Sequence, residues 1–145
     1  MSGLNAPALI SSMTDYEPGT FTPTLVGAVS GVTYGGDRFG NYRELAGLVF
    51  VEGLISTTGL TIDDAGGVVR LGGLPFAGAV NQSIHISHSA TWAGDRPSLG
   101  VFWNAGTELT LLYRTAINGD GQFLRGSDCA TGNGNTLTFS GSYSK

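Results

Sequence analysis

The chain is 145 residues long, 41% apolar and 12% charged, with a net charge of −4 at neutral pH. That length suits a single domain, and the charged share falls well below the roughly 25% of an ordinary soluble domain. The negative balance, with Arg38, Arg43, Arg70, Arg96, Arg114 and Arg125 scattered along the chain, argues against a nucleic-acid surface, which needs a basic patch.

Cys129 is the only cysteine, which excludes an intrachain disulfide and a multi-cysteine metal site. No leader segment and no apolar run of about 18 residues is present, so neither a signal peptide nor membrane insertion is expected. The only lysine is Lys145. With so few charges, the surface is expected to be covered by Gly, Ser, Thr and Asn, and partly by copies of the same chain.

The chain contains 24 glycines, with short apolar runs between them, the pattern of many brief strands joined by tight turns. Residues 1–18 lack periodicity and end on the turn signal Glu17-Pro18-Gly19. They read as an arm, either the end of a stem or a disordered terminus, ahead of a domain over 19–145. Thr20 to Val26 alternates, with Phe21, Pro23 and Leu25 on one face. Pro23 marks it as an edge strand or a strand end.

Gly31 to Gly36 and Asn41 to Glu44 form a broken strand around Tyr34 and Tyr42. Leu48 to Ser56 is almost continuously apolar, which predicts burial on both faces. Gly53 within it signals a bulge or a close backbone approach. Residues 57–60 and 63–67 look the same as loops. Val68 to Leu71, Gln82 to Ser87, Ser98 to Asn104, Glu108 to Thr115 and Asn135 to Tyr143 are further strand candidates. Among them, Leu109, Leu111 and Tyr113, and later Leu137, Phe139 and Tyr143, follow a period of two. About eight or nine strands at this spacing predict an all-β, antiparallel β-sandwich or jelly-roll-like domain with no long helix.

Three segments in this order carry a resemblance: Gly19-Thr-Phe-Thr-Pro-Thr-Leu; Gly40-Asn-Tyr-Arg-Glu-Leu-Ala-Gly-Leu-Val-Phe-Val-Glu-Gly; and Leu71-Gly-Gly-Leu-Pro-Phe. The terminal Leu137-Thr-Phe-Ser-Gly-Ser-Tyr fits with them. Together they resemble the C-terminal receptor-binding head domains of bacteriophage tail fibres and tailspikes, over residues 19 to 145. In that family a basic residue followed by Ile or Val stands just before the middle glycine, where this chain has Glu44-Leu45-Ala46-Gly47.

The resemblance implies a homotrimeric β-sandwich at the tip of a virion fibre or spike, joined to upstream fibre, spike or other virion proteins and contacting a bacterial surface glycan. It implies no cofactor and no catalysis in the head itself. The alternative it allows is a trimerisation or folding cap that binds nothing. The motif residues Phe21, Pro23, Leu25, Tyr42, Leu74, Pro75 and Phe76 are expected to pack or turn.

For binding, a sugar offers its C–H surface to an aromatic face and its hydroxyls to nearby Asp, Asn and Arg. Trp92, in Ala90-Thr-Trp-Ala-Gly-Asp-Arg-Pro with Asp95 and Arg96 close behind, has that composition. It also suits a core or subunit-interface anchor. Trp103, in Val101-Phe102-Trp103-Asn104, is a second candidate, although its apolar neighbours favour the core. His85 and His88 stand beside Ser87 and Ser89, but an alternating strand sends the two histidines to opposite faces. No acid and no G-x-S-x-G elbow supports either serine, so no hydrolytic site is expected. Asp63-Asp64 reads as a solvated loop ahead of a calcium ligand pair, and Asn118-Gly119-Asp120-Gly121 reads as a turn. No metal site is expected.

Overall fold

The computed structural model describes residues 16–145, and most of the arm expected over residues 1–18 lies outside the described residues. The described chain is all-β and antiparallel. Its strands are β1 (Glu17–Phe21), β2 (Thr24–Gly27), β3 (Val29–Tyr34), β4 (Phe39–Leu45), β5 (Leu48–Ile62), β6 (Val69–Gly72), β7 (Ser83–Ala90), β8 (Leu99–Val101), β9 (Leu109–Tyr113), β10 (Gln122–Phe123) and β11 (Gly134–Ser144). A 3-10 turn spans Gly126–Asp128.

One sheet runs β1-β4-β5-β11-β7-β8-β9-β6-β2, with β3 beside the far half of β5 and β10 beside β9. It curls into a sandwich-like shell. At the closure the Leu25 amide donates to the Tyr34 hydroxyl at 2.8 Å, which brings β2 to β3. Inside the shell, Val49, Ile55, Leu71, Phe102, Leu111 and Leu137 are fully buried.

The segments that carry the resemblance meet in one aromatic cluster. Gly19 lies opposite Tyr42 and Phe21 opposite Gly40 in the β1–β4 register. Each ring lies against its partner glycine, where a Cβ would collide. Tyr42 meets Phe76 edge-on at 5.3 Å, and Phe21 packs beside Phe139 at 6.1 Å. These glycines are needed because an aromatic ring takes the space that a side chain would fill. The Tyr143 hydroxyl donates to the Phe76 carbonyl at 2.8 Å and ties the cluster to β11.

Several expectations need correction. Glu17-Pro18-Gly19 does not turn but opens β1, an edge strand on which Pro18, having no N–H, is tolerated. Thr20 to Val26 is not one strand: it breaks at Pro23, and its halves go to opposite ends of the sheet order, although Phe21, Pro23 and Leu25 all face inward as the alternation predicts. The run at Leu48 is buried on one face only. Val49, Val51 and Ile55 point into the core while Leu48 and Phe50 point out. The strand then continues through the apparent loop at 57–60 to Ile62. Gly53 sits in regular register with Gly40 and Phe139, and the Phe139 ring against it makes it a close-approach site. On β11, Leu137, Phe139 and Tyr143 are buried as their period predicts.

Candidate functional site

The two tryptophans occupy the reverse of their expected settings. Trp92 is 7% exposed, and its indole N–H donates to the Thr136 carbonyl at 3.1 Å. A ring closed in on this scale offers no face to a sugar, so Trp92 is a core anchor, the other role its sequence allowed. The following loop is fastened from below by Asp128. Its carbonyl accepts the Ala93 and Gly94 amides at 2.9 and 3.1 Å. Its carboxylate accepts the Asp95 amide at 3.0 Å and the Arg125 amide at 2.8 Å. Asp95 and Arg96 are exposed on this loop, away from any exposed Trp92 face.

Trp103 is 57% exposed. The cause lies in its neighbour. Phe102 fills the core, fully buried and 4.8 Å from Tyr143, and the backbone turns at it, the Trp103 amide donating back to the Val101 carbonyl at 2.9 Å, so the next side chain is carried outward. The indole is not loose on the surface, because it meets Phe123 edge-on at 5.0 Å with an interplanar angle of 86°. Phe123 pairs with Leu112 on β9, and Leu112 pairs in turn with Leu99 on β8. An indole leaving the end of β8 must therefore reach across β9 to touch it. Behind Phe123, the Arg125 guanidinium lies 5.5 Å from the ring centroid and donates through Nη1 to the Gly66 carbonyl at 2.9 Å.

A polar groove of about 290 Å³ opens at the next residue, Asn104, and is lined also by Arg70, Thr107, Glu108 and Thr110. The Arg70–Glu108 pair, 3.9 Å apart and half exposed on both sides, is a weak surface pair whose donors and acceptors stay open to a ligand. The groove loop is held by reciprocal amide–carbonyl bonds between Gly78 and Gly106, at 2.8 and 3.1 Å. The exposed, braced indole can stack on a sugar ring, and the groove that begins one residue further on offers hydroxyl, amide, guanidinium and carboxylate groups to a sugar's hydroxyls.

One predicted residue does approach this end of the molecule. Burial first and then the Asp95 carboxylate hold the Tyr113 hydroxyl pKa above its usual range, while Arg125 pulls it down. Asp95 and Arg125 thus act on the same tyrosine, one rung from Phe123. Arg70, Asn104, Glu108 and Phe123 were missed from the sequence. Only the turn-like Asn104-Ala105-Gly106 after an aromatic pair hinted at them.

A second surface lies on the outer side of β4, β5 and β11. Asn41, Arg43, Phe50, Glu52, Ser140 and Ser142 line an open groove of about 310 Å³. Here the lining surface is more apolar, and Phe50, its exposed ring, meets no second aromatic among the described residues.

The histidine expectation also changes. A bulge in the β7–β11 pairing sets His88 opposite Thr138 and His85 opposite Ser140, so both histidines emerge on one face. The Ser87 hydroxyl is engaged with the Thr138 hydroxyl at 2.9 Å, and no histidine, cysteine or carboxylate cluster among the described residues is suited to a metal. Among the described residues no helix is long and apolar enough to cross a membrane. No protein-family model, curated protein or solved structure is significantly similar to this chain.

Proposed function

We propose that this chain is the attachment head of a virion tail fibre or tailspike, binding a bacterial surface polysaccharide as a homotrimer. The observation that carries the proposal is Trp103, a large ring turned outward and braced by Phe123, one residue ahead of the Asn104 that begins a polar groove. The ring supplies the stacking surface. Arg70, Asn104 and Glu108 supply hydroxyl partners, and no covalent step is involved. Each such site is shallow, and several copies on one rigid tip raise avidity without new contacts.

The test is binding of purified protein to polysaccharide extracted from candidate bacterial hosts. Trp103→Ala is expected to weaken binding by roughly tenfold or more, the scale of a lost aromatic anchor, whereas Trp92→Phe leaves it unchanged if the fold holds. Absence of binding to every host preparation overturns the reading. The alternative, a cap that registers an upstream fibre and binds nothing, is favoured by the apolar outer face of β4 and β5 and wins if the purified wild-type protein binds no host preparation while it still assembles.

A further inference from the structure

On β4 and β5, Phe39, Leu45, Leu48 and Phe50 are between 39% and 47% exposed. The register sets Leu45 beside Leu48, Arg43 beside Phe50, Asn41 beside Glu52 and Phe39 beside Leu54. Residues that pair directly across strands, or lie two apart along one, share a face, so these form one continuous outer surface. On β11 the same rungs carry Ser142 and Ser140. Their small side chains leave Phe50 standing above a trough of about 310 Å³. Exposed apolar side chains gathered on one strand pair differ from the scattered ones of an ordinary surface and mark a contact face.

The charges on that face say what covers it. Arg43 and Glu52 are exposed on neighbouring strands, one rung apart, yet neither has an ionic partner within 4.0 Å among the described residues. A partner must offer apolar groups to Phe50 and Leu48, an anion to Arg43 and a cation to Glu52. The same face of another copy offers all of these. Arg43 stands on the β4 side and Glu52 on the β5 side. When the β4 side of one copy meets the β5 side of the next, each interface pairs Arg43 with Glu52, the head-to-tail contact from which a ring is built when its rotation closes.

We propose that the outer face of β4, β5 and β11 is where copies of this chain meet, with Arg43 of one copy paired to Glu52 of the next and Phe50 seated between them. This rests on the oligomeric part of the function proposed above, not on its saccharide part. It leaves Trp103 and the groove built from β6, β9 and residues 104–108 outside the interface and open to ligand.

The experiment is a charge swap read by light scattering and sedimentation on the full chain. Arg43→Glu and Glu52→Arg alone are each expected to raise the dissociation constant of the assembly by roughly tenfold or more, since like charges then face each other. The double variant restores it, and Phe50→Ser weakens assembly without any change of charge. Circular dichroism confirms that each variant is folded. A wild-type chain that stays at the 14.9 kDa protomer mass at every soluble concentration overturns the proposal, as does a folded double variant that fails to reassemble. Should Arg43→Glu abolish saccharide binding with the mass unchanged, the face is a ligand site and the proposal fails. Loss of saccharide binding in Trp103→Ala with the oligomer intact bears only on the attachment reading.

Discussion

The segments around Trp92 and Trp103 both leave a strand and both carry an indole followed by small or polar residues, yet they do opposite things. The Trp92 segment folds inward. Its ring joins the core, its N–H is satisfied by Thr136, and the backbone beyond it hangs on Asp128. The Trp103 segment folds outward because Phe102 has already taken the interior position, and Phe123 holds the displaced ring in place. The lesson is that a tryptophan's role is set by which of its neighbours wins the core. A buried ring lends stability, whereas an outward ring held by a second aromatic is stiff enough to bind.

The sharpest way to break this contrast is to truncate both rings. Trp92→Ala removes a buried ring and a hydrogen bond, and is expected to cost about 3–5 kcal/mol of unfolding free energy. Trp103→Ala is expected to cost under about 1 kcal/mol, the scale of one aromatic pair. Urea unfolding of the two variants measures both, and equal losses would erase the distinction.

Next in size is Asn135, fully buried, which accepts the Ala130 amide at 2.7 Å and donates to the Ala130 carbonyl and the Thr57 hydroxyl. Asn135→Ala leaves these groups unpaired and is expected to cost about 1–3 kcal/mol. It should not alter ligand binding at Trp103, so a combined loss would mean that the two regions are coupled.

Alkaline pH probes the core side most strongly, through Cys129 and Tyr143. Burial, with a smaller contribution from Asp128, pushes the Cys129 thiol from 9.0 up to about 12, and burial pushes the Tyr143 hydroxyl from 10.0 to about 12. The unfolded chain sheds these protons at the lower values, so above about pH 9 it binds fewer protons than the folded chain. Stability is therefore full below that pH and falls progressively up to about pH 12. Urea midpoints at neutral and alkaline pH should show the fall, and Tyr143→Phe should reduce its slope.

The smallest effect is expected at Lys145. Its ammonium lies 3.1 Å from Glu44, a pair only partly shielded from water. The Lys145 hydrogen bond first, then the Gly47 amide, hold the Glu44 pKa below its usual range. Lys145→Ala is expected to lower stability only slightly, as for other solvent-screened surface pairs, and to raise the Glu44 pKa, which carboxyl NMR titration would show. Because the folded pKa is the lower one, the stability from Glu44 is present at neutral pH and fades as pH falls through the acidic range.

Much of the fold was legible in the residues. Period-two alternation placed β9 and β11 and the inward faces of Phe21 and Leu25, and glycine spacing announced short strands, because these signals are local and every strand must show one face to the core. The site was not legible in the same way. Trp92, Asp95, Arg96 and Trp103 were named on composition, and of these only Trp103 offers an exposed ring. Arg70 on β6, Glu108 just ahead of β9 and Phe123 on β10 are parts of the chain that no local pattern connects.

By itself, then, the sequence determined an all-β antiparallel chain and the strands that build most of it, while the aromatic–glycine pairs that knit β1 to β4 came from their register. Only the tertiary structure decided that the apolar run at Leu48 leaves half its side chains outside, that Phe102 rather than Trp103 goes in, and that a bulge turns both histidines to one face. The physical reason is the same each time. Alternation says that neighbouring side chains part company, but which of the two faces meets the core depends on strands distant in the chain.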